Sequence, residues 1–512
     1  MDTTHQDYPY LYFTAVNRGV NPYLMQDNEL WDSVNFWTER TMGAKKVRPG
    51  FTPFLNNPDS LPVKGLFYVK FPNGYVRLAR VSGKTVYAVD PTTASTWGSS
   101  ILTPITSNFV RPDFTILAAK GHIVDQISDT ESHYIEWTDS AGTDTMTDTT
   151  YTSSTDTVVP YKGKVITTYH QRVYVGSPYY SPNVYKSRLS WSTIEYANWG
   201  SSPASPWTQD VTGIDITSAN WRDIDQDYNG NIIKLTNIND RINIYKENQI
   251  YRYNESQVFS IFGMSPILGT IATVAETEED YWLTDEGFFK TDGNTITPVS
   301  DGWYPIIKQI FANGLTPSKF VSAGANFLYF CYLGNITYDG QTISNAMFVY
   351  STKFAEMSLW SLGFDVSSIG TYVNSSEDKI VVFGDTSGKT YYLDYSANDD
   401  AGTPITAYLR TKYFFFDSVT KENNIDKVHA LATEGSEMNL QADPDFSGQY
   451  NDLLEISDVH SKTMKDMSDF GQFYTMSFRV SWNGKGNRPE FYGIVPGIIQ
   501  SSVRMPSRGR GK

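Results

Sequence analysis

Residues 231–256, NIIKLTNINDRINIYKENQIYRYNES, and residues 280–300, DYWLTDEGFFKTDGNTITPVS, decide the fold class. Both lie within residues 164–300, a run of short strand candidates joined by tight turns. In the first segment Ile242 and Ile244 alternate with Asn243 and Tyr245, a period of two that places one set of side chains on a buried face. Glu247 and Asn248 interrupt the alternation, and Ile250, Tyr251 and Tyr253 resume it. In the second, strands are predicted at 281–284, 288–290 and 295–298. They are separated by Asp285-Glu286-Gly287 and Asp292-Gly293-Asn294, residue types that supply the positive φ of a hairpin turn. Three strands in so short a span make a meander.

The same rhythm extends to both sides. Residues 65–90, GLFYVKFPNGYVRLARVSGKTVYAVD, give three strands across Asn73-Gly74 and Ser82-Gly83, and residues 113–126 and 133–137 supply another set. Residues 319–334 and 346–363 form one further set and 366–395 the next, with Asp385-Thr386-Ser387-Gly388 as its turn. Counted from Val63 to Tyr395, this is about six or seven units of roughly forty to fifty residues, the period of propeller blades. The expected fold is therefore all-β, a β-propeller over residues 63–405, with a pair of β-sandwiches as the competing architecture. From Thr406 the rhythm lengthens. Strand candidates at 407–416 and 427–433, and two more around Asn483-Gly484, read as a C-terminal β-sandwich over 406–503.

Residues 1–62 read as an N-terminal arm or platform segment, in which Leu30, Trp31, Val34 and Trp37 are spaced loosely like one short helix or an irregular arm. Lys45, Lys46 and Arg48 read as a solvated basic turn, the alternative being contact with an acidic neighbour. Residues 138–157, TDSAGTDTMTDTTYTSSTDT, hold almost nothing to bury and read as a mobile loop or thin β-hairpin inserted in the propeller. Residues 504–512 form a basic tail carrying Arg504, Arg508, Arg510 and Lys512.

Composition narrows the function classes. The 512-residue chain is 15% aromatic, which suits half-buried pleated sheets, and its net charge of −15 opposes nonspecific wrapping of DNA. A single cysteine, Cys331, excludes an internal disulfide framework and fits maturation in a reducing cytosol. Neither an export signal nor an apolar stretch of membrane-spanning length is expected.

Little in the sequence points to chemistry. His5, His122, His133, His170, His429 and His460 fall in no HxH or HExxH spacing, so no metal site is expected. Cys331 lies in the apolar strand FLYFCYL and reads as a buried, inert thiol. No nucleophile elbow, P-loop or dinucleotide fingerprint is present, and no cofactor is implied. Asp223, Asp225 and Asp227 in WRDIDQDYNG are the one carboxylate series that suggests a glycosidase or an ion loop, and they lack a second partner placed by sequence. The acid-and-glycine turns, Asp285-Glu286-Gly287 among them, read as plain hairpin turns rather than calcium loops or sialidase-like boxes. No catalytic, cofactor-binding or metal residue is assigned.

Four segments resemble the β-propeller tail proteins of tailed phages, the family that includes the nozzle or hub of short-tailed phages. They are residues 43–54, GAKKVRPGFTPF, with the arm before them; residues 170–200, HQRVYVGSPYYSPNVYKSRLSWSTIEYANWG, through Arg172, Val173, Tyr174, Ser190 and Trp199; the two segments quoted first; and residues 411–435, TKYFFFDSVTKENNIDKVHALATEG. The resemblance implies a non-enzymatic virion protein assembled in the host cytoplasm. It implies a hexameric ring below the portal or adaptor protein, contacts with other tail proteins such as fibres, and genomic DNA passing through without sequence-specific binding. A receptor- or glycan-binding tail component, and after it a propeller glycosidase, are the alternatives.

A proline in the central strands is expected to be far worse than one in the Thr/Ser/Asp stretch. Ile244→Pro removes a ladder donor and costs about 3 kcal/mol or more. Equal melting temperatures for Ile244→Pro and for a proline within residues 138–157 would refute the strand assignment.

Overall fold

The computed structural model describes residues 3–22, 24–102, 105, 107–117, 120–128, 131–140, 142–148, 162–180, 183–192, 221–225, 230–262, 264–416, 422–433, 436–456 and 472–501. The fold is all-β, built from several multi-stranded sheets. Among the described residues, 63–394 hold seven successive antiparallel sheets of three or more strands, beside a two-stranded ribbon of Tyr179–Tyr180 and Asn183–Val184. The first has three strands, Val63–Lys70, Val76–Ser82 and Thr85–Val89. The second runs through Asp113–Leu117, Lys120–Ser128, Glu131–Ser140 and Thr143–Asp148, and the third through Val165–Tyr169, Arg172–Gly176, Arg188–Trp191 and Trp221–Asp223. The fourth contains Ile232–Ile238, Arg241–Lys246, Ile250–Tyr253 and Val258–Phe262, and the fifth Ala272–Val274, Glu279–Thr284, Gly287–Thr291 and Ile296–Pro298. The sixth begins with Val321–Ala325, Leu328–Tyr338, Gln341–Ser351 and Glu356–Ser361. The seventh has Val366–Val373, Lys379–Asp385 and Thr390–Asp394. Its fourth strand is Gly50–Pro53, which pairs antiparallel with Thr390–Asp394.

The first strand of each sheet packs beside the first strand of the next, and Val366–Val373 returns to Val63–Lys70. Two glycines permit this crowding. A Cβ on Gly324 would lie 2.0 Å from the Thr273 carbonyl oxygen, and one on Gly370 would lie 2.5 Å from that of Leu66.

Packing of sheet against sheet changes the burial expected of the central strands. Arg241–Lys246 buries both faces, not one. Ile242 and Ile244 join Val165, Tyr174 and Leu189 of the third sheet. Tyr245 turns the other way, onto Trp282 and Phe289 of the fifth. The polar residues on that face converge on one buried carboxylate. Asp280 accepts hydrogen bonds from Asn243 Nδ2 at 2.8 Å, the Tyr245 hydroxyl at 2.8 Å, Thr273 Oγ1 at 2.6 Å, and Thr236 Oγ1. A period of two thus hides a polar network on its second face, because a neighbouring sheet covers it.

The remaining strands join the two ends of the chain. Leu30–Val34 pairs with Glu356–Ser361 through a single parallel pair, Val34 with Leu359, and antiparallel with Ala407–Thr411. This extends the sixth sheet to nine strands through Met476–Gly486, Ser436–Pro444 and Asn451–Ile456. A further six-stranded sheet combines Thr3–Asp7, Tyr10–Leu11, Phe36–Trp37 and Lys45–Val47 with Glu422–Ala432 and Glu490–Ser501. Phe13, Leu30, Val47, Leu409, Val480 and Ile494 share one core cluster.

Several sequence expectations are corrected here. Leu30, Trp31, Val34 and Trp37 lie on strands, not on a short helix or an irregular arm, because their partners come from residues 407–411 and 45–47. Asn483-Gly484 sits inside the strand Met476–Gly486, and the chain turns at 487–489 instead. Of the two readings of the Thr/Ser/Asp stretch, mobile loop or thin hairpin, its first part takes the hairpin, since Thr143–Asp148 pairs with Glu131–Ser140. Residues 149–157, and the basic tail, lie outside the described residues.

Asp280→Ala leaves four donors, three of them buried, without their acceptor and is expected to destabilise the chain by about 3 kcal/mol or more. Calorimetry checks this, and an unchanged melting temperature would remove the carboxylate from the inter-sheet contact.

Candidate functional site at the meeting of the chain ends

The densest buried charge network lies where residues 35–50 cross between the two-ended sheets and the seventh sheet. Arg48 is fully buried and all five of its N–H groups are used. Its Nη1 and Nη2 donate to Asp400 Oδ1 and Oδ2 at 2.8 and 2.6 Å. Nε donates to Asn35 Oδ1 at 2.9 Å, Nη1 to the Pro49 carbonyl at 2.9 Å, and Nη2 to the Ser361 carbonyl at 2.6 Å. Asn35 holds a positive φ of 62° between two short strands, accepts the Ser361 N–H at 2.7 Å, and donates to the Thr406 carbonyl at 2.7 Å. Asp400 also accepts the Gly363 N–H at 2.7 Å.

Three further cations flank this centre. Lys45 is buried and donates to Glu356 Oε1 at 2.6 Å, while Thr38 Oγ1 donates to the other oxygen at 2.5 Å. Arg488 pairs with Glu39 at 2.5 Å and donates to the Val47 carbonyl, and Lys46 reaches the same Glu39 at 3.2 Å. The basic cluster is therefore not a solvated turn. Its three members contact acidic neighbours within the same chain, and the partners Glu356 and Asp400 lie far along the sequence. Chemically the arrangement is a joint: charge-assisted bonds close every donor of Arg48 and tie four segments together.

The residues singled out in the sequence are scattered. His122 is buried, shares a 2.8 Å contact with the Tyr134 hydroxyl, and burial pushes its pKa down to about 3. His133 places Nδ1 2.7 Å from Asp148 and Nε2 3.2 Å from Glu131; burial opposes its protonation, and the two carboxylates outweigh it, so its pKa is raised. His170 is surface-exposed between Asp240 and Glu255, and His429 is half-buried on the strand Glu422–Ala432. The side chain of His5, and His460, lie outside the described residues. Among the described residues no group of three or more His, Cys, Asp and Glu side chains has the arrangement to hold a metal ion. Cys331 is buried, and burial pushes its thiol up to about 12. Asp223 is taken by Arg188 at 2.7 Å, Asp225 accepts the Tyr251 hydroxyl at 2.5 Å, and Asp227 lies outside the described residues. Asp285-Glu286-Gly287 spans the hairpin between Glu279–Thr284 and Gly287–Thr291. Sequence reasoning missed Asp400 and Asn35 altogether. The available signal was the invariant need of a buried Arg48 for acceptors, which names no partner by itself.

No known family matches the chain, and no curated protein matches its sequence. Solved structures are remotely similar. BBS1N in complex with ARL6DN is 10% identical, with a TM-score of 0.41, over 69% of this chain and 99% of its own. The GH74 xyloglucanase from Xanthomonas campestris is 10% identical, with a TM-score of 0.39, over 74% of this chain and 57% of its own. At these scores the likeness is one of sheet-rich architecture and says nothing of activity. No helix among the described residues is long and apolar enough to cross a membrane.

Arg48→Met strands Asp400 in a buried site and is expected to cost about 3–5 kcal/mol. Denaturant unfolding measures it, and a loss within experimental error of zero would show that the joint is dispensable.

Proposed function

We propose that the seven sheets are the blades of a closed β-propeller, that the strands of residues 3–47 and 407–501 form a sandwich-like platform beside it, and that the protein is a structural subunit of a phage tail. In this reading the subunit assembles as a hexameric ring that continues the DNA channel outward from the portal or adaptor. The observation that carries the architecture is the pairing of Gly50–Pro53 with Thr390–Asp394. An N-terminal strand that completes the last sheet resists unravelling of the ring of blades, and it leads directly from the platform through Arg48.

A structural role is favoured over a propeller glycosidase by what the first strands carry. Asp113 is the single carboxylate on those seven strands, and Lys234 holds it at 2.6 Å. Hydrolysis of a glycosidic bond by the usual routes needs two carboxyl groups facing one substrate. The ordered resemblance of four segments to tail propellers is what points to a phage tail, and the net charge of −15 suits a wall past which DNA slides.

Mass measurement of the purified full-length protein is expected to give a hexamer, and negative-stain images to show rings with an open lumen. A chain that stays monomeric at micromolar concentration would sink the ring and make a receptor- or glycan-facing tail component the better reading.

A further inference from the structure

The nine-stranded sheet carries an unusual row on the face turned away from its core. Ala407–Thr411 buries Ala407, Leu409 and Thr411 and leaves Tyr408 and Arg410 half-buried on the opposite face. Met476–Gly486 buries Phe478 and Val480 and leaves Arg479 half-buried in the same way. Register places Arg410 directly opposite Arg479, with Asp32 beyond Arg410 on one side and Gln441 then Asp452 beyond Arg479 on the other. Like charges directly opposite one another destabilise a strand pair. Both Nε atoms are buried with no hydrogen-bond acceptor, and among the described residues neither guanidinium has a carboxylate within 4.0 Å.

Six arginines elsewhere contrast with the pair. Arg18, Arg48, Arg77, Arg80, Arg188 and Arg488 each pair with a carboxylate of the same chain. The acids at the ends of the row are already engaged: Asp32 accepts the Tyr338 and Tyr408 hydroxyls, and Asp452 accepts Asn439 and Gln441. Arg479 is held between the rings of Tyr408 and Tyr450, 4.7 and 5.7 Å from their centroids. The pair is thus oriented and doubly cationic, with Asp32 and Tyr450 favouring the charge of Arg410 and no acceptor on either Nε.

We propose that Arg410 and Arg479 together receive one carboxylate side chain from a neighbouring copy of this chain. The proposal rests on the ring reading above. Two forks side by side match the two oxygens of a carboxylate. The occupant is a single acid and not a nucleic-acid backbone, because Asp32 and Asp452 bound the cationic spot and repel a polyanion laid across it. A second copy supplies the acid readily, since the chain carries 56 acidic against 41 basic residues.

The test compares the full-length protein with Arg410→Glu/Arg479→Glu and with the milder Arg479→Gln, reading oligomer mass against protein concentration and melting of the unassembled subunit. The double reversal is expected to raise the assembly midpoint by about tenfold or more. Arg479→Gln is expected to raise it less, without lowering the melting temperature, because it relieves the opposed charges. It decides the matter if the reversal does not fold. Variants that fold and assemble at the wild-type midpoint overturn the site while leaving the ring intact. A wild-type chain that never assembles overturns the ring and this occupant together. A labelled DNA duplex bound by the wild type and lost in the reversal assigns the pair to phosphate and overturns the carboxylate.

Discussion

A guanidinium removed from water is costly to the extent that its five N–H groups go without acceptors, and Arg48 finds one for each on Asn35, Pro49, Ser361 and Asp400. That requirement fixes four stretches of chain relative to one another. Asn35 belongs to the link between Leu30–Val34 and Phe36–Trp37, Ser361 ends the strand Glu356–Ser361 of the sixth sheet, and Asp400 lies in the short strand Asp399–Asp400, which pairs parallel with Gly50–Pro53 in the seventh. Directly after Arg48 the chain enters Gly50–Pro53 and completes the seventh sheet. Gly50 has no room for a side chain there, since a Cβ would lie 2.1 Å from the Asp399 carbonyl oxygen. The path of the backbone and the position of the charge are set by the same contacts.

The topology makes folding depend on distant pairings. Thr3–Asp7 pairs with Glu490–Ser501, Leu30–Val34 with Ala407–Thr411, and Gly50–Pro53 with Thr390–Asp394. The sheets between them are local meanders whose strands are neighbours in sequence. Local hairpins close at small entropic cost, whereas the joint must wait until residues hundreds of positions apart meet. The interior sheets are therefore the natural early units, and the buried ion pairs of the joint belong to the last step.

This division also explains what the sequence disclosed. The strands at 281–284 and 288–290, and the sets beginning at Val63 and Val366, were legible because hairpin chemistry is local: alternation, then an Asx-Gly turn, then alternation. The strands Leu30–Val34 and Phe36–Trp37 were not, because an isolated segment with Leu30, Val34 and Trp37 carries the same apolar spacing whether its partners make it a strand or leave it a helix. Lys45, Lys46 and Arg48 look like a surface cluster until Glu356, Glu39 and Asp400 are brought to them. The row of Arg410 and Arg479 is invisible for the same reason, since register between strands sixty-nine positions apart, roughly, is no property of either strand alone.

Acidity, too, changes meaning once the fold is in hand. Read from composition, an excess of carboxylates describes a surface. In the structure Asp32, Asp280 and Asp400 are all buried. Asp400 is neutralised by Arg48, but Asp280 is bonded by the Asn243, Tyr245, Thr236 and Thr273 side chains, all uncharged donors. A carboxylate held by neutral donors is cut off from water, so part of the acid count lies between sheets and not on the surface. The field that a passing polyanion feels sums over all charges, with those unpaired and nearest the surface weighing most. The contribution of each carboxylate to a channel wall is therefore weighted by where its sheet holds it and by the cation beside it.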